Sequence, residues 1–169
     1  MKKILFVFIL VAILAAGTAF ASPVHPNGLG IGALWGASIG DIHHIGHHAA
    51  LSLHIPNLPV FWGISWYGNA FGVQGDVYII GTQLLPFMGW FFGIGGYGRV
   101  YHGNETALNL GVRFPIGLTF QFANFVEVFL NFAPNLGLSL YTNRKNDPLH
   151  FPDWGGYPLE LGLRFWIGK

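Results

Sequence analysis

The chain contains no cysteine. That absence excludes a disulfide, a thiolate metal site, a cysteine nucleophile and a lipoprotein acyl anchor. Charge is also scarce: Asp, Glu, Lys and Arg make up 9% of the 169 residues, against about 25% in ordinary globular domains. Eight Lys and Arg against seven Asp and Glu leave a net charge of +1. Nucleic acid is therefore not an expected partner, because binding it needs a basic field. What the chain does have is apolar and aromatic, with 52% hydrophobic residues, 17% aromatic residues and 25 glycines. Disordered chains carry few aromatics, so this composition points to a folded chain with lipid as one of its solvents. Its length suits a single domain.

The first residues read as an export signal. Met1-Lys2-Lys3 is a short basic start, Ile4 to Ala16 is an uncharged apolar run, and Ala19-Phe20-Ala21 has the small-x-small pattern that precedes cleavage. The expected cut follows Ala21, which makes residues 1–21 a signal peptide and residues 22–169 the mature domain. The apolar run is too short for an anchoring helix, since a membrane span needs about 20 residues.

Long uncharged stretches occupy residues 49–75, 77–98 and 128–143, and they favour one alternative, a polytopic helical membrane protein. Periodicity argues against it, because a helix repeats near 3.6 residues whereas a strand alternates. From Leu108 to Phe120 every even position is apolar, while the odd positions hold Asn109, Gly111, Arg113, Pro115, Gly117 and Thr119. Val126 to Leu140 keeps the same parity, with Glu127, Asn131, Asn135 and Ser139 on the opposite face. In the last segment Leu159, Leu161, Leu163, Phe165 and Ile167 share one face, and Glu160, Gly162, Arg164 and Trp166 the other.

Weaker alternation predicts further strands over residues 29–39, 48–55, 60–66, 71–79 and 88–101. In the fourth strand Phe71, Val73, Val77 and Ile79 are expected outward and Gln74, Asp76 and Tyr78 inward. With turns at Pro56 to Pro59, Gly68-Asn69 and His102 to Glu105, eight strands are expected. Pro115 and Pro134 each remove a ladder donor, which predicts a bulge or a strand end beyond the hydrocarbon. The fold class is all-β: an eight-stranded, antiparallel, up-and-down transmembrane barrel.

Six charged residues lie in these strands: Asp76, Arg99, Arg113, Glu127, Glu160 and Arg164. All fall on the face opposite the apolar stripe. An outward Arg at mid-bilayer costs about 2–4 kcal/mol, so the pattern is the one lipid demands. Facing inward, the six are expected to form an ion-pair network that fills a barrel too narrow for a wide pore. His48 and His54 are expected to point into the same lumen.

Asp41-Ile42-His43-His44-Ile45-Gly46-His47-His48 concentrates imidazoles in one loop. Imidazole is a common ligand for Zn, Cu and Ni, so His43, His44, His47 and His48 are candidate metal ligands, beside the plainer reading of a polar loop that titrates. No nucleophile, base and oxyanion donor are visibly assembled, and the glycines form no phosphate-cradling motif. No cofactor and no enzymatic activity are expected.

The whole mature chain resembles, as architecture, the small eight-stranded outer-membrane barrels of the OmpA, OmpX and OmpW type. The end of the chain carries the most specific likeness. Glu160-x-Gly162-x-x-Phe165-x-Ile167 is similar to the polar-x-Gly-x-x-aromatic-x-hydrophobic signal read by the barrel-assembly machinery, although the chain continues through Gly168-Lys169 where such proteins usually end. Arg113-Phe114-Pro115-Ile116-Gly117 also resembles small outer-membrane proteins of spirochaetes. The resemblance implies a bacterial outer-membrane location, with membrane lipid and the assembly machinery as partners. It implies a structural or surface-contact role or, as in the OmpW type, a narrow channel for small or hydrophobic solutes. In such barrels the long loops face outward, so an external ligand would meet the first loop, Gly40 to His47, or the last, Thr142 to Gly156, which holds Phe151 and Trp154.

Overall fold

A computed structural model describes residues 25–26, 28–39, 46–102, 106–123, 125–142, 149–153 and 156–168. The expected signal peptide and the cut after Ala21 lie outside these residues. The described chain is all-β, and none of its elements is a helix long and apolar enough to cross a membrane. The polytopic helical alternative is thereby set aside.

Eleven strands are present: β1 (Leu29–Ile39), β2 (His47–His54), β3 (Val60–Tyr67), β4 (Ala70–Leu85), β5 (Met88–Tyr101), β6 (Ala107–Arg113), β7 (Ile116–Phe122), β8 (Val126–Phe132), β9 (Asn135–Tyr141), β10 (Leu149–Asp153) and β11 (Tyr157–Ile167). They make eight staves, because β6 and β7 are successive halves of one stave, β8 and β9 of the next, and β10 and β11 of the last, with β10 paired to β9 and β11 to β8; part of the expected last loop, Thr142 to Gly156, is therefore strand. Each stave is antiparallel to its neighbours. The circuit closes where β1 meets β11, in register from Leu29↔Ile167 to Ile39↔Tyr157.

The two divided staves show what the prolines do. Arg113 pairs with Asn135 and Ile116 with Phe132, so equal numbers of residues separate the pairs on both sides of the gap. No residue is inserted, and the expected bulge is absent. The reason is that a proline loses only its donor. Pro115 O still accepts from Gly93 N at 2.8 Å, and Pro134 O accepts from Phe114 N at 3.0 Å.

Alternation in the sequence becomes two-sidedness in the wall. Along β11 exposed and buried residues alternate without a break: Leu161 is 53% exposed and Arg164 only 2%. Trp35, Trp62, Trp66, Phe71, Leu130 and Phe165 are likewise on the outside. The expected faces need correction in β4. This strand runs to Leu85 instead of ending near Ile79, and its register shifts between Tyr78 and Ile80. Pleat parity changes at such an irregularity, so Ile80 is the outward residue, 54% exposed. Val77, between the lumen-facing Asp76 and Tyr78, keeps its expected outward face and is only 4% exposed because it packs beside its register partners Val60 and Ile94.

Two tight connections follow from local chemistry. Gly68-Asn69 alone joins β3 to β4, as expected. Between β2 and β3, Asn57 takes φ 65°, and Leu58 N bonds Ile55 O at 3.1 Å. Asparagine tolerates that left-handed conformation better than most residues.

Candidate functional site in the barrel lumen

The lumen is filled by side chains from every stave, arranged in three tiers. The middle tier centres on Arg113 of β6, fully buried. Its Nη2 donates to Glu160 Oε2 at 2.8 Å, its Nε lies 3.1 Å from Asp76 Oδ1, and its Nη1 donates to Gln74 Oε1. Glu160 also accepts from Asn131 Nδ2 at 2.9 Å, and His48 Nε2 stands 3.4 Å from its other oxygen. Two carboxylates around one guanidinium offset part of the cost of dehydrating these groups, and the hydrogen bonds from Asn131 and to Gln74 add to that offset.

The tier nearer the chain termini centres on Glu127 of β8. Its Oε2 accepts from Arg164 Nη1 at 2.9 Å and Trp166 Nε1 at 2.8 Å. Its Oε1 accepts from Thr119 Oγ1 at 2.7 Å and from His25 Nδ1 at 2.6 Å. Arg164 lies over the rings of Phe61 and Phe129, 4.7 Å from each centroid, and donates to Ser52 Oγ at 2.9 Å through Nη2. Below it Phe61, Tyr78, Phe91 and Trp166 form a buried aromatic floor. His54 packs against Phe61 with ring centroids 4.5 Å apart and hydrogen-bonds Gly28 O at 2.9 Å, so it joins this floor and not the carboxylates.

At the opposite end, Arg99 packs over Tyr97 at 4.6 Å and Tyr67 at 5.1 Å. With the Asn135 amide turned to its better orientation, its oxygen accepts from Arg99 Nη2 at 2.7 Å. Asp153, from β10, is fully buried and accepts from Asn109 Nδ2 at 2.7 Å and from Ser139 Oγ. Tyr67, Ala70, Tyr101 and Ala107 cluster there, with Tyr141 packed against them.

All six charged residues expected in the lumen are thus buried, the most exposed being Asp76 at 4%. They divide into an Arg113 group, an Arg164 group and an Arg99 stack. Small residues make room for this filling. A Cβ on Gly162 would collide with the Phe129 ring, and one on Gly36 with the His48 ring.

Of the candidate metal ligands, His43 and His44 lie outside the described residues. His47 is exposed and His48 buried on opposite faces of β2, so the two do not converge. No group of three or more potential ligands occurs among the described residues. In the assembly-signal segment, Glu160 and Gly162 point inward and Phe165 and Ile167 outward on β11.

Sequence reading missed His25, which precedes the first strand, and Asp153, which lies on β10 in the segment expected to be the last loop. Periodicity had no hold on either. The only trace of Asp153 was a lone acid between the aromatics Phe151 and Trp154. Compared with known proteins, the chain matches no family model and no curated protein.

Proposed function

We propose that the protein is an integral β-barrel of the bacterial outer membrane, closed across its lumen, with a non-enzymatic role in envelope structure or surface contact. The observation that carries this reading is the inversion of polarity: leucine, phenylalanine and tryptophan on the outside, arginine and carboxylate inside. In water this arrangement exposes a large apolar surface. In a bilayer it satisfies every requirement of a lipid-facing wall. The 11 residues of β1 and of β11 match the span of a tilted transmembrane strand.

On this reading membrane lipid covers the wall, and the barrel-assembly machinery recognises the strand containing Glu160, Gly162, Phe165 and Ile167. Within the segment expected as the last loop, strand β10 is the contact surface with the clearest chemistry, because Phe151 is 67% and Leu149 50% exposed. The test is to fold the protein into detergent micelles and record far-ultraviolet circular dichroism and gel mobility before and after boiling. A single β-type minimum with heat-modifiable mobility is expected. A random-coil spectrum with unchanged mobility would sink the membrane-barrel reading.

A narrow channel is the second reading. Buried Tyr67 Oη, His48 Nδ1 and Asn131 Oδ1 have no hydrogen-bond partner among the described residues, which favours some water in the lumen. Reproducible single-channel conductance in planar bilayers selects the channel; silence selects the closed barrel.

A further inference from the structure

The outer wall is not uniform. On the side formed by β5, β7, β8 and β11 it holds a groove of about 300 Å³, a size at which small-molecule sites begin. Its shape follows from the register. Trp90 pairs with Leu118 and Leu118 with Leu130, which makes one outward row. Ile116 pairs with Phe132 and Phe132 with Leu159, which makes a second. All six residues line the groove, and on β7 only Gly117, without a side chain, lies between the rows.

The two rows stand two residues apart along each stave, which is about 7 Å, and staves are about 4.8 Å apart. Crossing four staves, the trough is therefore about 14 Å from end to end. Its banks differ from the rest of the wall. Trp90 is half-buried, while the outward Trp35, Trp62 and Trp66 are 56%, 44% and 50% exposed. In the second bank Phe132 is stacked on Tyr157, with ring centroids 6.3 Å apart and planes 8° from parallel, so that bank is held in place.

These dimensions select the occupant. A helix with its side chains is about 10–12 Å across and does not enter a trough of this width. A second copy of the barrel presents a convex wall, and a stable interface needs about 20–30 residues a side where the groove offers seven. A hydrocarbon chain is narrow enough and long enough. The only polar side-chain atom in the lining is the Trp90 indole nitrogen, so a lipid headgroup finds no partner set there.

We infer that the trough between Trp90 and Phe132 is a binding site for one straight, saturated acyl chain of a membrane lipid. Inside a bilayer the hydrophobic effect does not drive this choice, because lipid surrounds the whole wall; van der Waals packing does. A chain on the flat wall touches protein on one side, and a chain in the trough touches it on three, so many small contacts are added. The inference rests on the lipid-facing reading of the wall and goes beyond it, since it makes one place on that wall selective.

The experiment places wild-type protein in dioleoylphosphatidylcholine vesicles that contain a small fraction of a phosphatidylcholine whose palmitoyl chain carries a mid-chain diazirine. After irradiation, mass spectrometry locates the labelled residues. Label at Trp90 is expected to exceed label at Trp62 about tenfold, the enrichment that roughly ten added close contacts supply. Excess dipalmitoylphosphatidylcholine should bring it down to the Trp62 level. Equal label at Trp90 and Trp62 overturns the groove and leaves the lipid-facing wall standing. Label at neither overturns both. Label at Trp62 with Trp90 protected means that something else, such as a second copy, covers the trough, and it overturns the inference.

Leu118→Phe supplies the second arm by filling the trough from an outward position. A heat-modifiable Leu118→Phe barrel should lose the enrichment at Trp90 and keep its label at Trp62. Enrichment that persists in this variant overturns the site. The wild-type competition stands whether or not the variant folds.

Discussion

The two ends of the lumen are filled by different devices. At the terminal end His25 inserts its side chain from before the first strand, and at the other end Asp153 enters from β10, half of the last stave. Asp153 belongs to β10, which is laddered to β9 through Leu149↔Leu140, His150↔Ser139 and Asp153↔Gly137. Its ladder to β9 holds it even if the carboxylate is lost. His25 has one side-chain hydrogen bond and three ring contacts. The difference teaches that a side chain carried by a laddered strand keeps its place with the sheet, whereas one carried from before the first strand is placed by its own contacts.

The largest test removes what both ends rest on. Arg113→Ala leaves Asp76 and Glu160 buried without their guanidinium, and breaking such a pair costs about 3–5 kcal/mol. Urea titration of the folded band on gels should show a much lower midpoint, with both ends loosened together. An unchanged midpoint would remove the middle tier as the shared support.

A smaller loss is expected from an outward charge that touches neither end. Leu130→Arg places a guanidinium on the outer wall, where Leu130 is 38% exposed, and should cost about 2–4 kcal/mol in lipid. The same variant at full stability in phospholipid vesicles would mean that the wall does not face a bilayer.

Asp153→Ala sharpens the comparison directly. It strips Asn109 and Ser139 of their shared acceptor, for about 1–3 kcal/mol. Because the β10 ladder persists, hydrogen exchange should quicken in β10 and β9 while the His25 end keeps wild-type protection. Spread of fast exchange to β8 and β11 would show that the ends are not independent. The smallest effect belongs to Phe151→Ser, which changes stability by no more than about 0.5 kcal/mol, as exposed substitutions do. Its readout is surface adhesion, and undiminished adhesion would count against β10 as the contact surface.

Much of the wall was legible beforehand, for a particular reason. A strand has a side-chain period of two, so the parity of Leu159, Leu161 and Leu163 assigned Glu160 and Arg164 to the interior without knowledge of any neighbour. Local irregularity was less legible. The shift between Tyr78 and Ile80 displaces the outward position by one residue, and nothing in Tyr78-Ile79-Ile80 signals it, since either isoleucine suits lipid. The prolines were visible, but of their two expected consequences the bulge is absent: the strands break at Pro115 and Pro134 without an inserted residue, because each proline loses only its donor and keeps its carbonyl in the sheet.

By itself, then, the sequence determined most of the strands, though not β10 or the end of β4, together with the burial of Asp76, Arg99, Arg113, Glu127, Glu160 and Arg164. Those properties are set residue by residue through alternation, which keeps charge off the apolar face. Tertiary structure alone decided which arginine meets which carboxylate, and that His25 and Asp153 enter the lumen. Those pairings join residues far apart in the chain, as with His25 and Glu127, 102 positions apart. They exist only once closure of β1 on β11 sets the stagger of every stave.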